Sequence, residues 1–164
     1  IENELGGGAL LDIGIYPVFF AQSILGKPDK ILASMDKAST GVDEQCAMIF
    51  QYKNGKTANL FSTLASNLET DADIFGTLGR IRLTSRFYEP SATIQFYPDR
   101  VDSRQLISLE KEAGWGYQHE IRHVNECLQK GLAESPIHSL NDTLALMQTL
   151  DAIRAQMGLK YLVD

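Results

Sequence analysis

Across residues 30–109 the apolar side chains recur at every second position, a spacing that a strand can bury on one face and a helix cannot. About half of the chain is thereby committed to strands. Within this stretch, segments rich in β-branched and aromatic residues are separated by short turn signals, the pattern of an antiparallel meander. Lys53-Asn54-Gly55-Lys56 is the clearest turn, because Asn-Gly tolerates the positive φ angles of a tight hairpin between 47–52 and 57–64. Leu78-Gly79 is expected to turn between 73–77 and 80–84. Met48, Phe50, Leu60, Leu64, Ile81, Leu83, Ile94 and Phe96 fall into one apolar set, and Gln45, Gln51, Asn59, Thr63, Arg82, Thr93 and Gln95 into the other. One face is expected to pack on helices while the other stays wetter. That wetter face carries Thr57, Asn59, Phe61 and Thr63, few of them charged, which suits a contact between two copies of the protein.

Helical spacing surrounds the meander. Residues 9–25 are too apolar and too long for one strand and read as a buried helix, stopped by Gly26-Lys27-Pro28. Pro17 cannot donate to the carbonyl of Ile13, so this helix is expected to be irregular around Gly14 to Pro17. Residues 117–130 place Ile121, Val124 and Leu128 on one stripe, and Ser139 can cap a helix running to Gly158 through Leu144, Met147, Leu150 and Ile153. Helix, strands, helix, helix describes an α+β fold, a mostly antiparallel open sheet with helices packed on one face. With 164 residues and 44% hydrophobic content, the chain suffices for a single domain over 1–164 with one core.

Charge and composition exclude several classes of function. Lys and Arg number 15 against 21 Asp and Glu, a net charge of -6, so no basic footprint for nucleic acid exists. No apolar run reaches the roughly 20 residues of a bilayer span, and no basic stretch followed by an apolar one marks secretion. Cys46 and Cys127 sit far apart in apolar patterns and read as buried thiols, which points to the reducing cytoplasm. The opening Ile1-Glu2-Asn3-Glu4, without methionine, reads as the interior of a longer chain.

Three constellations carry possible chemistry. His119-Glu120-Ile121-Arg122-His123 matches the H-E-x-x-H pattern of zinc proteases, but no third ligand follows at a suitable helical spacing, and no metal site is expected. Gly6-Gly7-Gly8 precedes a helix without a strand before it, without G-x-G-x-x-G and without a P-loop lysine. Close backbone approach explains it better than a phosphate cradle. Asp12 and Tyr16 put a carboxylate and a phenol at i and i+4 of an apolar helix. Spacing alone fits a buried structural pair, the aspartate bonding a partner inside the protein, as well as a catalytic one.

The run Gly6-Gly7-Gly8-Ala9-Leu10-Leu11-Asp12-Ile13-Gly14-Ile15-Tyr16-Pro17-Val18 resembles the start of the C-terminal domain in the Gfo/Idh/MocA family of oxidoreductases. The resemblance continues through Phe75-Gly76-Thr77-Leu78-Gly79-Arg80-Ile81, Gly116-Tyr117-Gln118-His119-Glu120-Ile121 and Glu134-Ser135-Pro136, and so covers nearly the whole chain. Many members carry histidine where this chain has Tyr16. Tyrosine there is similar to the branch with glucose-fructose oxidoreductase, dimeric dihydrodiol dehydrogenase and the D-xylose dehydrogenases.

What the resemblance implies is a C-terminal domain like that of glyceraldehyde-3-phosphate dehydrogenase. Its partner would be an N-terminal Rossmann half, absent from this chain, that holds NAD or NADP and a catalytic lysine in Glu-Lys-Pro. It further implies hydride transfer at a sugar, polyol or trans-diol carbon, with Tyr16 bonding the reacting oxygen and Asp12 holding that arrangement. A phenol titrates near pH 10 and needs a neighbouring cation to exchange protons near neutrality, a part the lysine would play. Trp115 and Tyr117, in the run Gly114-Trp115-Gly116-Tyr117, are candidate substrate-pocket walls or else a packed loop before the helix. Residues 1–164 alone are then expected to be inactive, and the family implies a homodimer through the open sheet face. The rival reading is a non-catalytic dimerisation module of the same fold.

Overall fold

The computed structural model describes residues 6–84, 86–98, 105–107 and 112–161. The opening residues 1–4 and the far end of the strand-rich stretch at Leu109 lie outside these. A π-helical turn, Leu10–Gly14, leads into α1 (Ile15–Leu25). Among the described residues seven strands follow: β1 (Lys30–Lys37), β2 (Asp43–Gln51), β3 (Thr57–Thr63), β4 (Ala72–Gly76), β5 (Gly79–Thr84), β6 (Thr93–Pro98) and β7 (Gln105–Ile107). The helices α2 (Tyr117–Gln129) and α3 (Leu140–Met157) close the described chain. The expected α+β order of antiparallel strands and helices is what forms, with the meander divided into two sheets. The residues gather into two compact units, one reaching to Asn67 and resuming at Pro136, the other spanning Leu68–Ser135.

In the first unit, β1, β2 and β3 form an antiparallel sheet in that order. Met48 pairs with Ala33 on one side and Leu60 on the other. The period-two pattern explains the burial along β2: Cys46, Met48 and Phe50 point inward while Ala47 and Ile49 stay exposed. The helix α3 lies against β1, and α1 lies against β3 and α3. Leu10, Val18, Met48, Phe50, Leu146, Leu150 and Ile153 form the core between sheet and helices. The hairpin at Asn54-Gly55 is in place, Gly55 having φ +81° and the Tyr52 N–H donating to the Lys56 carbonyl at 3.1 Å. Ser139 caps α3 as expected, accepting from the Asp142 N–H while the Asp142 carboxylate accepts from the Ser139 amide.

Several positions depart from the sequence pattern. Thr63 is buried, because its hydroxyl donates to Gln45 Oε1 and accepts from the Ala65 N–H, while Leu64, just past the strand end, is exposed. The outer face of β1–β3 is mixed, with Leu32, Ile49 and Phe61 exposed beside Ser34, Thr57 and Asn59. On α3 the buried stripe is Leu146, Thr149, Leu150 and Ile153, leaving Leu144 and Met147 exposed. Thr149 tolerates that position because its hydroxyl is spent on the Ala145 carbonyl at 3.0 Å.

In the second unit, β4 to β7 form an antiparallel sheet in sequence order. The β4–β5 turn is Thr77-Leu78, and Gly79 already belongs to β5, opposite Gly76. Gly79 has φ +145°, and a Cβ there would collide with the Tyr97 carbonyl oxygen, so the position requires glycine for strand approach as well as for conformation. Arg82 bridges Asp71 and Asp73 across this pair, and Arg80 lies 4.2 Å over the Tyr97 ring. On α2, Cys127 is buried while Ile121, Val124 and Leu128 are exposed.

Candidate functional site

Pro17 and the glycines shape the segment that carries Asp12 and Tyr16. A proline inside a regular helix would lose a bond and crowd the preceding turn. Here the chain widens into a π turn over Leu10–Gly14 and runs on directly as α1 from Ile15, which puts Pro17 in the first turn of α1, just after the widened stretch. The expected irregularity takes this form.

The turn is held at both ends. At its start the Leu10 N–H donates to Asp43 Oδ2 at 2.6 Å, both residues being fully buried. Gly8 has φ +146°, and a Cβ on it would lie 2.1 Å from Asp43 Oδ1. At its end a Cβ on Gly14 would come within 2.9 Å of Ser62 Oγ, which in turn bonds Cys46 Sγ at 3.0 Å. The glycines of the motif thus serve close packing. Burial pushes the Asp43 carboxyl above its ordinary range, against the downward pull of the Leu10 and Ala9 amides, and pushes the Cys46 thiol up to about 11.

Asp12 and Tyr16 project away from this packing. Leu10, Gly14 and Val18 are buried, whereas Asp12 is exposed and Tyr16 is 41% exposed. The expectation that the helix buries Asp12 is therefore corrected: the buried carboxylate at this site is Asp43, and Asp12 lies on the open side. Nothing local in Thr40-Gly41-Val42-Asp43-Glu44 marks Asp43 as a partner of Leu10, 33 residues earlier. An acid following the apolar Val42 into a buried strand is the one signal in the sequence.

Trp115 and Tyr117 belong to the second unit, so the candidate residues fall into two groups. Gly114 and Gly116 carry φ +129° and +96°, and Gly116 packs so closely on Pro90 that a Cβ would lie 2.8 Å from its Cγ. This tight loop turns the Trp115 ring outward at 84% exposure, with Tyr117 also exposed, so the alternative of a packed loop does not hold for these rings. On α2, the His123 ring is engaged through Nε2 with Ser135 Oγ at 2.8 Å and lies 3.5 Å from Cys127 Sγ. Among the described residues no three His, Cys, Asp or Glu side chains converge as a metal would need, and no helix is long and apolar enough to cross a membrane.

Comparison with known proteins places this geometry. The GFO/IDH/MocA C-terminal domain matches residues 1–82. The chain is 37% identical over 165 residues to the trans-1,2-dihydrobenzene-1,2-diol dehydrogenase of Xenopus tropicalis, covering 98% of this chain and 50% of that protein. It is 30% identical over 170 residues to the human enzyme of the same name, covering all of this chain and again 50% of that protein. The chain thus spans about half the length of these relatives. In fold it is similar to the aldose-aldose oxidoreductase of Caulobacter crescentus in complex with glycerol (TM-score 0.77, 20% identity, 92% of this chain and 45% of that one). It is likewise similar to KijD10, a 3-ketoreductase from Actinomadura kijaniata in complex with TDP-benzene and NADP (TM-score 0.77, 23% identity, 92% and 48%). With its glycine-rich opening explained by packing, its strands and helices in the matching order and half of its length covered by the family's own pattern, this chain belongs to the Gfo/Idh/MocA family, as its C-terminal domain.

Proposed function

We propose that residues 1–164 act as one substrate-binding and dimerisation domain, the substrate-side half of a cytoplasmic, NAD- or NADP-dependent oxidoreductase. Its substrate would be a sugar, polyol or trans-diol, and the named relatives favour a trans-dihydrodiol. The observation that carries this reading is a carboxylate and a phenol, Asp12 and Tyr16, held on the exposed side of a helix whose other side is packed and clamped. An exposed reactive pair on a rigid support is what positioned proton transfer requires.

Among the described residues, the Gly6-Gly7-Gly8 segment does not fit a dinucleotide phosphate. The glycine run before the first helix presses against the buried Asp43 carboxylate, which disfavours a phosphate at that place. The cofactor and the cation that a catalytic phenol needs are therefore assigned to other parts of the protein, and these residues by themselves should not turn over. Within this half, the Tyr16 hydroxyl exchanges a hydrogen bond or proton with the reacting substrate oxygen. Asp12 orients it, while Trp115 and Tyr117, in the second unit, keep exposed aromatic rings of the kind that suits a ring substrate. A non-catalytic module of the same fold is the rival reading, and it predicts no loss of kcat when the Tyr16 hydroxyl is removed.

Tyr16→Phe in the full-length protein tests the assignment, because it keeps the ring and removes the hydroxyl. With trans-1,2-dihydrobenzene-1,2-diol and saturating NADP, kcat should fall by roughly 10²–10⁴-fold, the range supplied by a positioned proton-transfer group. Melting should hardly change, since the side chain is partly exposed. Wild-type kcat in this variant would remove Tyr16 from the chemistry.

A further inference from the structure

We propose that Asp43 is a positioning residue for the Asp12–Tyr16 segment, standing in across the fold for the capping side chain that the segment itself lacks. This inference rests on the proposed role of Tyr16 for its activity readout.

The first amides of a helix have no intrahelical acceptor, and the residue before the helix usually supplies one from its side chain. Ala9 occupies that position in this chain and has nothing to offer. Asp43, at the start of β2, supplies the oxygen instead: Oδ2 accepts from the Leu10 N–H at 2.6 Å, with both residues fully buried. A negative charge at a helix start is also the favoured sign. Gly8 closes over the other oxygen, where any side chain would collide, so the carboxylate fixes the path of the chain as well as the first amide.

A second clamp lies at the other end of the π turn, where Gly14 meets Ser62. Asp12 sits between the two clamps and Tyr16 lies two residues beyond the second. The arrangement is wasteful as mere stabilisation. Asp43 Oδ1 is buried and has no hydrogen-bond partner among the described residues, and a buried carboxylate oxygen left in that condition costs stability. In this proposal the group is kept because it fixes the position of the segment, at the cost of its burial.

The experiment uses the full-length protein and two Asp43 variants. Asp43→Leu keeps the branched outline at a larger volume and removes every acceptor; Asp43→Asn keeps one. Amide hydrogen exchange in peptides spanning 8–14 should accelerate at least tenfold in Asp43→Leu, with peptides of α3 unchanged, and should stay near wild type in Asp43→Asn. In the same proteins kcat should fall at least tenfold in Asp43→Leu while KM moves less than threefold, and Asp43→Asn should recover most of the loss. Combined with Tyr16→Phe, Asp43→Leu should lower kcat no further, since it acts through the phenol. If Asp43→Leu does not fold, Asp43→Ser, too short to reach the Leu10 amide, replaces it with the same expectations. Unchanged exchange over 8–14 overturns the anchoring, and changed exchange with unchanged kcat overturns the positioning role. Should Tyr16→Phe itself leave kcat intact, the catalytic reading fails separately, and the exchange data alone then judge the anchor.

Discussion

A Cβ on Gly8 would stand 2.1 Å from Oδ1 of Asp43, on a backbone whose φ of +146° already excludes most side chains. Two independent penalties thus meet at one glycine. Gly8→Ala should destabilise the protein by roughly 2–4 kcal/mol, combining backbone strain of about 1–3 kcal/mol with the collision. Asp43→Ser should recover part of that loss by opening the space, and denaturant unfolding of the single and double variants measures the recovery. Equal losses in the single and double variants would show that only the backbone angle matters.

The Asp43 carboxyl also sets a pH dependence whose sign follows from its burial. Its native pKa is raised, burial prevailing over the Leu10 and Ala9 amides, while in the unfolded chain it titrates at the ordinary value. Folding therefore favours the protonated form, and the associated stability is full below the ordinary carboxylate pKa and lost as pH rises through the raised native one. As pH rises above the ordinary carboxylate range, the melting temperature of the wild type should decline relative to that of Asp43→Asn. A wild type that instead gains stability over this variant as pH climbs would contradict a raised native pKa.

The outer face of β1–β3 exposes Leu32, Ile49 and Phe61 together, more apolar surface than an isolated sheet face needs. We expect the full-length protein to pair with a second copy through this face. Sedimentation at micromolar concentration should show a dimer for the wild type and a monomer for the Ile49→Asp, Phe61→Asp double variant, with kcat per subunit measured alongside. A dimer that survives both changes places the contact elsewhere.

Cys46 gives a chemical test of the packed floor beneath the π turn. With its thiol pushed up to about 11 by burial and bonded to Ser62, it presents almost no thiolate at neutral pH. In native protein at about pH 8, its labelling by an aromatic disulfide should proceed no faster than unfolding, and it should become rapid in denaturant. Fast labelling without denaturant would mean that the floor opens locally.

The sequence by itself determined the elements, because their signals are local. Alternation along 43–51 selects strand, Asn54-Gly55 selects the hairpin, Ser139 and Gly158 bound α3, and Pro17 forces an irregular helix just upstream. Each of these depends on neighbours within a few residues, where backbone conformation and side-chain period are set. The spacing of Asp12 and Tyr16 is local in the same way, but their exposure is not. Only the tertiary structure decided which carboxylate is buried, since the Leu10 amide finds its acceptor 33 residues away and a free energy of burial belongs to no short segment. It also decided that Thr63 and Thr149 turn inward while Leu144 turns out. Those choices depend on which hydroxyl can reach a carbonyl or amide once the helices have settled on the sheet, a condition that no periodicity encodes.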